Sequence, residues 1–312
     1  MKRVRIGGQA VLEGVMMRNF DHYAIAIRKP DHTIDVKVEE YIPLGEKISF
    51  FKIPFIRGIF SFVESLIIGM RTLTYSAEFY EEEEDESKAD QVVKAVFKDK
   101  AESVLTGLTV IIAIAIAIGL FMLLPAWIVQ FLEKLIPNHY ILAVIEGIIR
   151  LLIFLIYVVL ISKMEDIKRT FMYHGAEHKT INCLEAGDPL TPENVLKHSR
   201  YHKRCGTSFI FVVLIISIIV FMFIDTPSTA MRMLYRVLLV PVIAGISYEF
   251  IMLAGRSDSK IMNALSKPGM WVQRLTTKEP DYGMAEVAIA SVEAVLDWRA
   301  YLEAMHNGEL ED

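Results

Sequence analysis

The chain of 312 residues is poor in cysteine, with only Cys183 and Cys205. Two thiols cannot staple a disulfide-dense secreted scaffold, so that class is excluded. The basic opening MKRVRIGGQAVLEG has no continuous apolar stretch, so it does not read as a cleavable signal peptide. No basic face with interleaved aromatics marks a nucleic-acid surface, and the net charge is a modest −5. The pair Gly7-Gly8 is followed by no G-K-[ST] and makes no phosphate loop. No internal repeat is visible, which weakens the case for a transporter built from two halves.

Apolar residues are in excess. They make up 53% of the chain, and the mean hydropathy is +0.38. They gather in four stretches near the roughly 20 residues a membrane-crossing helix needs. These are Val104–Leu124, ending at Pro125; Ile141–Ser162, with Glu146 and Arg150; Thr207–Ile224, uncharged; and Met233–Ala254, with Arg236, Pro241 and Glu249. Between the first two, residues 125–140 hold only Lys134 as a cation. Residues 163–206 hold Lys163, Lys168, Arg169, Lys179, Lys197, Arg200, Lys203 and Arg204, and the tail adds Arg256, Lys260, Lys267, Arg274 and Lys278. The positive-inside rule then predicts a multi-pass protein of the cell (inner or plasma) membrane, with both termini and the central loop cytosolic. Its implied partners are the lipid bilayer and a membrane-protein substrate or partner; no nucleic acid is implied.

Ahead of the spans, HYAIAIRKPDHTIDVKVEEY (22–41) alternates apolar and polar residues on both sides of Pro30-Asp31, the pattern of a β-hairpin. QAVLEGVMMR (9–18) supplies a third strand. FFKIPFIRGIFSFVESLIIGMRTL (50–73) carries Arg57, Glu64 and Arg71 at steps of seven, with Ser61, Ser65 and Thr72 beside them. Charges on one face predict an interfacial or re-entrant amphipathic helix in preference to a fifth span. EFYEEEEDESKAD (78–90) reads as a solvated acidic linker or helix surface. After Pro280-Asp281, residues 282–305 read as an amphipathic helix. The predicted fold is therefore a mainly α polytopic membrane protein with a small β-hairpin region and a cytosolic helical loop and tail. Its parts are a β-rich region 1–45, an interfacial helix and acidic linker 46–103, a four-helix membrane domain 104–254 carrying the loop 163–206, and a tail 255–312.

The chemistry lies in that loop. In YHGAEHKTINCLE (173–185), His174-Gly175-Ala176-Glu177-His178 fits H-x-x-E-H. On a helix the two histidines stand about 40° apart and one turn along, so both imidazoles reach one ion. Glu177 projects from the neighbouring edge, where a carboxylate takes a proton from a water on the metal. Gly187-Asp188-Pro189 predicts that the motif helix, begun near Lys168, ends at Ala186. A catalytic zinc needs a third protein ligand. Glu249 is the first choice, because an ionisable group at membrane depth is paired or functional, and because it follows His178 by about seventy residues, as in H-x-x-E-H peptidases. Glu185 lies two turns beyond His178 and suits an outer or substrate role.

A second constellation, HSRYHKRCGTSF (198–209), adds His198, His202 and Cys205 just before the third span. His202 and Cys205 can join the first site as ligands or stabilise an intermediate. With Cys183, the trio can instead close a structural zinc site. Glu146 and Arg150, four apart, neutralise each other within the second span.

The motifs GGQAVLEGVMMR (7–18), YHGAEHKTINCLE, LTPENV (190–195), RCGTSF (204–209), LVPVIAGISYE (239–249) and PGMWVQRLTTKEPD (268–281) together resemble the YqhQ-like family. This is an uncharacterised group of bacterial membrane proteins also found in plastids. In LVPVIAGISYE, Val240 interrupts the family's Leu-Pro pair. The resemblance covers nearly the whole chain. It implies that His174, Glu177, His178, Cys205 and Glu249 belong to recurring motifs of proteins predicted to be metal-dependent enzymes. Three functions follow: a membrane-embedded zinc hydrolase acting at the cytosolic face, such as a peptidase; a non-catalytic scaffold or chaperone in membrane-protein assembly, with a structural metal or none; and a transporter or channel using the charges within the spans.

Overall fold

The computed structural model describes residues 6–43, 48–80, 101–224, 226, 228–257 and 259–309. From Glu81 on, the acidic run lies outside them. The protein is mainly helical with an N-terminal antiparallel sheet, and it divides into two compact units. Met1–Tyr80, Val158–Ile216 and Pro241–Asp312 form one; Glu81–Tyr157 and Ser217–Val240 form the other.

The first unit is built on a four-stranded meander, β1 Ile6–Val11, β2 Gly14–Asn19, β3 His22–Arg28 and β4 Ile34–Glu40, paired in chain order. The hairpin around Pro30-Asp31 is β3–β4, with Arg28 opposite Ile34. The segment expected as one strand over residues 9–18 is instead a hairpin of its own. Val11 faces Gly14 across a two-residue turn in which Glu13 adopts φ +49°. That turn lets Gly14 lie flat against β3, where a Cβ would come 2.4 Å from the Ala26 carbonyl oxygen.

Both faces of the sheet are covered, which is why β2 and β3 are buried almost throughout. On one face Val11, Met16, Tyr23, Ile25 and Ile27 pack with Ile68 of α1 (Ile56–Ala77). On the other, Val15, Met17 and Ala26 share a core with helix Glu165–Ala186 and helix Tyr282–Glu293. Each fully buried aliphatic contributes on the order of 1.5–3 kcal/mol. Helix α1 turns its polar edge inward: Glu64, Thr72 and Ser76 are buried, while Val63, Leu66, Ile67, Met70 and Leu73 are exposed. Gln9 Nε2 donates to Thr72 Oγ1 at 2.6 Å, and Ser76 Oγ accepts from the Leu12 amide at 3.1 Å.

The segment after Pro280 is two helices, Tyr282–Glu293 and Trp298–Asn307, because Asp297 caps the second through the amides of Arg299 and Ala300. Asp281 caps the first, accepting from the Met284 amide at 2.8 Å. Asp281→Ala is expected to lower stability by about 1 kcal/mol, read in a thermal melt as a drop of roughly 2–4 °C.

Among the described residues three helices are long and apolar enough to cross a membrane: Gly107–Gln130, His139–Ile161 and Ala230–Gly255. The fourth expected span is the shorter helix Gly206–Met222. The first does not stop at Pro125. A π-turn at Gly119–Leu123 leads into a further helical segment, Leu124–Gln130, with Pro125 in its first turn. Proline has no N–H to offer the Phe121 carbonyl, and Arg150 Nε donates to that oxygen instead, at 2.9 Å. Within the same unit Arg150 also reaches Glu146 and Ser217, and Arg236 takes the second oxygen of Glu146 at 2.6 Å.

Candidate metal centre

Helix Glu165–Ala186, here α5 after α2 (Ala101–Ile118), α3 (Leu124–Gln130) and α4 (His139–Ile161), carries both motif histidines and ends at Gly187 in the left-handed conformation (φ +84°), with its last turn closed by the Asp188 amide on the Cys183 carbonyl. His174, His178 and Cys205 converge, with one ligand atom of each within 4.8 Å of the others. Cys205 Sγ lies 3.3 Å from His174 Nε2. The two imidazole rings are 4.4 Å apart.

The orientation of both rings is fixed from behind. His174 Nδ1 donates to the Thr276 carbonyl at 2.9 Å, and His178 Nδ1 donates to the Arg200 carbonyl at 2.6 Å. A carbonyl only accepts, so both nitrogens carry their proton, and Nε2 of each ring faces the cluster. This second contact is what holds a metal-ligating histidine in its tautomer. Glu177 is buried, its Oε2 3.7 Å from His174 Nε2. Its methylene lies beside Gly8 of β1, where a Cβ would come within 3.0 Å.

The three groups shift one another's proton affinity. Burial disfavours a charge on Cys205, yet the two neighbouring imidazoles hold its thiol well below the ordinary range. Burial likewise lowers His174, but Cys205, Glu177 and the Thr276 carbonyl outweigh it and raise the imidazole to about 9. His178 is raised against its burial by the same thiol and carboxylate.

The other sequence candidates stand apart. Glu249 receives Arg57 in a two-point ion pair and accepts from the Phe55 amide at 3.2 Å. It ties the start of α1 to helix Thr229–Arg256, where Gly58 and Gly245 approach backbone to backbone. His202 lies near, its ring 5.9 Å from that of His178, but Nδ1 accepts from the Arg204 amide at 3.4 Å and Nε2 donates to Glu185 at 3.3 Å. Glu185 also receives Arg204. His198 pairs with Asp188 at 2.9 Å. Cys183 is buried against the Asp188 and Pro189 carbonyls, and burial pushes its thiol up to about 12.

Two contributors act through no side chain. The carbonyls of Thr276 and Arg200 are backbone atoms with no residue signature. Gly175 had one: a glycine inside a helix costs about 1 kcal/mol and calls for a packing reason. A Cβ there would meet the Lys278 carbonyl oxygen at 2.0 Å. Glu13 accepts Arg169 in a two-point pair and the Tyr173 hydroxyl at 3.2 Å, fixing β1–β2 to α5.

A family model described as Protein of unknown function (DUF1385) matches residues 53–298. The chain belongs to this family. This DUF1385 protein is 36% identical over 311 residues to Uncharacterized protein YqhQ of Bacillus subtilis (strain 168), covering 95% of this chain and 94% of the relative. No solved structure matches it. The matched region spans α5, Cys205 and Thr276 but begins after Gly8 and Glu13.

Proposed function

We propose that this DUF1385 protein is a multi-pass membrane protein with a zinc-dependent hydrolase centre at its cytosolic face, acting on a membrane or membrane-proximal protein. The membrane reading is supported by three helices of sufficient length whose large aliphatics point outward, Ile111, Ile114 and Ile116 each more than half exposed. Water does not tolerate such a surface. Helix Gly206–Met222, about 26 Å long, is the fourth span. The lysines and arginines of 163–206 and of the tail favour the cytosol for these segments by the positive-inside rule.

The observation that carries the catalytic reading is the backbone tether on Nδ1 of both histidines, which leaves two Nε2 atoms and one thiolate facing a common point. Nitrogen and sulfur donors suit zinc. His174, His178 and Cys205 would hold the ion, and zinc there would supply a Lewis acid. Glu177 accepts the proton of the attacking water; a purely structural site has no use for a carboxylate so placed.

The near-complete burial of His178 and Cys205 favours a second reading, in which the same ion is a structural clip in a membrane scaffold. The two separate in one experiment. Tag-free protein in detergent is expected to hold about one zinc per chain by mass spectrometry, and His174→Ala/His178→Ala to hold none. Glu177→Gln is expected to keep its zinc and lose hydrolysis of a membrane-protein panel. Hydrolysis unchanged in Glu177→Gln, or absent from the zinc-loaded wild type, leaves the structural clip; no zinc bound on addition overturns both.

A further inference from the structure

The second unit holds a cavity of about 230 Å³ lined by Glu133, His139, Glu146, Arg232 and Arg236, with Val129, Ile136 and Leu142 among its apolar walls. Its polar groups do not balance. Glu133 pairs with Arg232, and Glu146 is shared between Arg150 and Arg236. Three guanidinium groups thus face two carboxylates, and one positive charge is left over. Arg150 is satisfied through all three nitrogens, on Phe121, Ser217 and Glu146. Arg236, only 3% exposed, is not: one nitrogen reaches Glu146, while Nε and Nη1 are buried without a partner. Arg232 Nε and His139 Nε2 are in the same state. Of the six buried side-chain nitrogen and oxygen atoms without a partner among the described residues, four belong to these three cavity-lining side chains.

Leaving a buried polar group unpaired is unfavourable, and more so when the group is charged. All four atoms belong to side chains that line one hollow, which is therefore the nearest place from which an acceptor can reach them once those side chains turn toward it. The volume is several times the roughly 30 Å³ of a water, and the donors approach from two chain segments. His139 opens helix His139–Ile161, whose amino end adds positive potential. Arg232 and Arg236 stand one turn apart on helix Thr229–Arg256. Donors arriving from several directions suit a tetrahedral oxyanion better than a planar carboxylate, and arginine is the common partner of phosphate.

We propose that this cavity binds a phosphate-bearing monoanion, whose charge and oxygens complete the Glu146–Arg150–Arg236 set. A phospholipid phosphodiester and inorganic phosphate share that chemistry; the lipid source also rests on the membrane reading, the inorganic one does not. The site is separate from the metal centre, so His174→Ala/His178→Ala leaves it unchanged.

The test is native mass spectrometry of the full chain in nonionic detergent, titrated with dioleoylphosphatidylglycerol, with inorganic phosphate, and with dioleoylglycerol as the phosphate-free control. One equivalent of a phosphate-bearing probe is expected to bind, and none of the control. Arg236→Lys keeps a cation for Glu146 but removes the guanidinium donors; Arg232→Gln alters a less buried wall. Each is expected to weaken binding about tenfold or more, and Arg232→Gln alone decides if Arg236→Lys does not fold. Phosphatidylglycerol binding without phosphate binding identifies a lipid site; phosphate binding identifies a soluble anion. Failure of both probes to bind one to one, or binding unchanged in the folded variants, overturns the proposal.

Discussion

Gly175→Ala is expected to destabilise the first unit by about 3 kcal/mol or more, at or beyond the upper end of what overpacking usually costs. A methyl there would sit 2.0 Å from the Lys278 carbonyl oxygen and 3.2 Å from its carbon. Real contacts of that kind do not exist, so a backbone must move. Neither is free to do so. The Lys278 amide donates to the Phe171 carbonyl at 2.8 Å, and two residues earlier the Thr276 carbonyl receives His174 Nδ1. Shifting residues 276–280 away from α5 breaks both bonds and releases the His174 ring. The measurement is a thermal melt in detergent, where such a loss reads as roughly 6–12 °C, paired with zinc content. Gly7→Ala is the control, since nothing lies within 4 Å of its added methyl; it is expected to stay within about 0.5 kcal/mol of wild type. A Gly175→Ala protein as stable as wild type would mean that residues 276–280 do not lie against α5.

The second large effect concerns the third ligand of the proposed zinc site. Cys205→Ala is expected to lower zinc affinity by more than about 100-fold, beyond the 10–100-fold that outer contacts of a metal site are worth. Glu249→Gln is expected to leave zinc affinity unchanged and to loosen α1, because its two-point pair with Arg57 is weakened. Competition against a chromogenic chelator measures both. The opposite pattern, with Glu249→Gln losing zinc and Cys205→Ala keeping it, would make the glutamate the ligand and the thiol a neighbour.

These two cases mark where the sequence was legible. Local signals read directly. Gly187 stops α5 at Ala186 because a left-handed residue is cheap only for glycine, and Pro30-Asp31 turns β3 into β4. Hydropathy located the long apolar helices to within a few residues, except at Pro125. There the π-turn and Arg150 relieve the proline, and neither is a property of the residues nearest to it. The i, i+4 spacing of His174 and His178 is a property of one helix, so it survived into three dimensions. The third partner is a choice among residues far apart in the chain. Charge at membrane depth favoured Glu249, but Arg57, on a segment nearly two hundred residues earlier, takes up that carboxylate. Cys205 was visible as a candidate and was brought in by packing of the loop on α5. The tethers behind the histidines were not visible at all, since any residue brings a carbonyl.

The sheet that β2 and β3 form is closed on one face by residues 56–77, and on the other by residues 165–186 and 282–293. On a ribosome those covers arrive at very different times. The first follows soon after the strands. The last emerges some 265 residues after β3 ends, which at ~5–20 residues per second is about 13–53 s later. Until residues 165–186 arrive Val15, Met17 and Ala26 line an open apolar face, and from then until residue 282 that face is only partly covered. The strands that are made first are thus among the last to be finished, and a nascent chain halted before residue 282 exposes a surface prone to stray strand pairing and to capture by holdase chaperones.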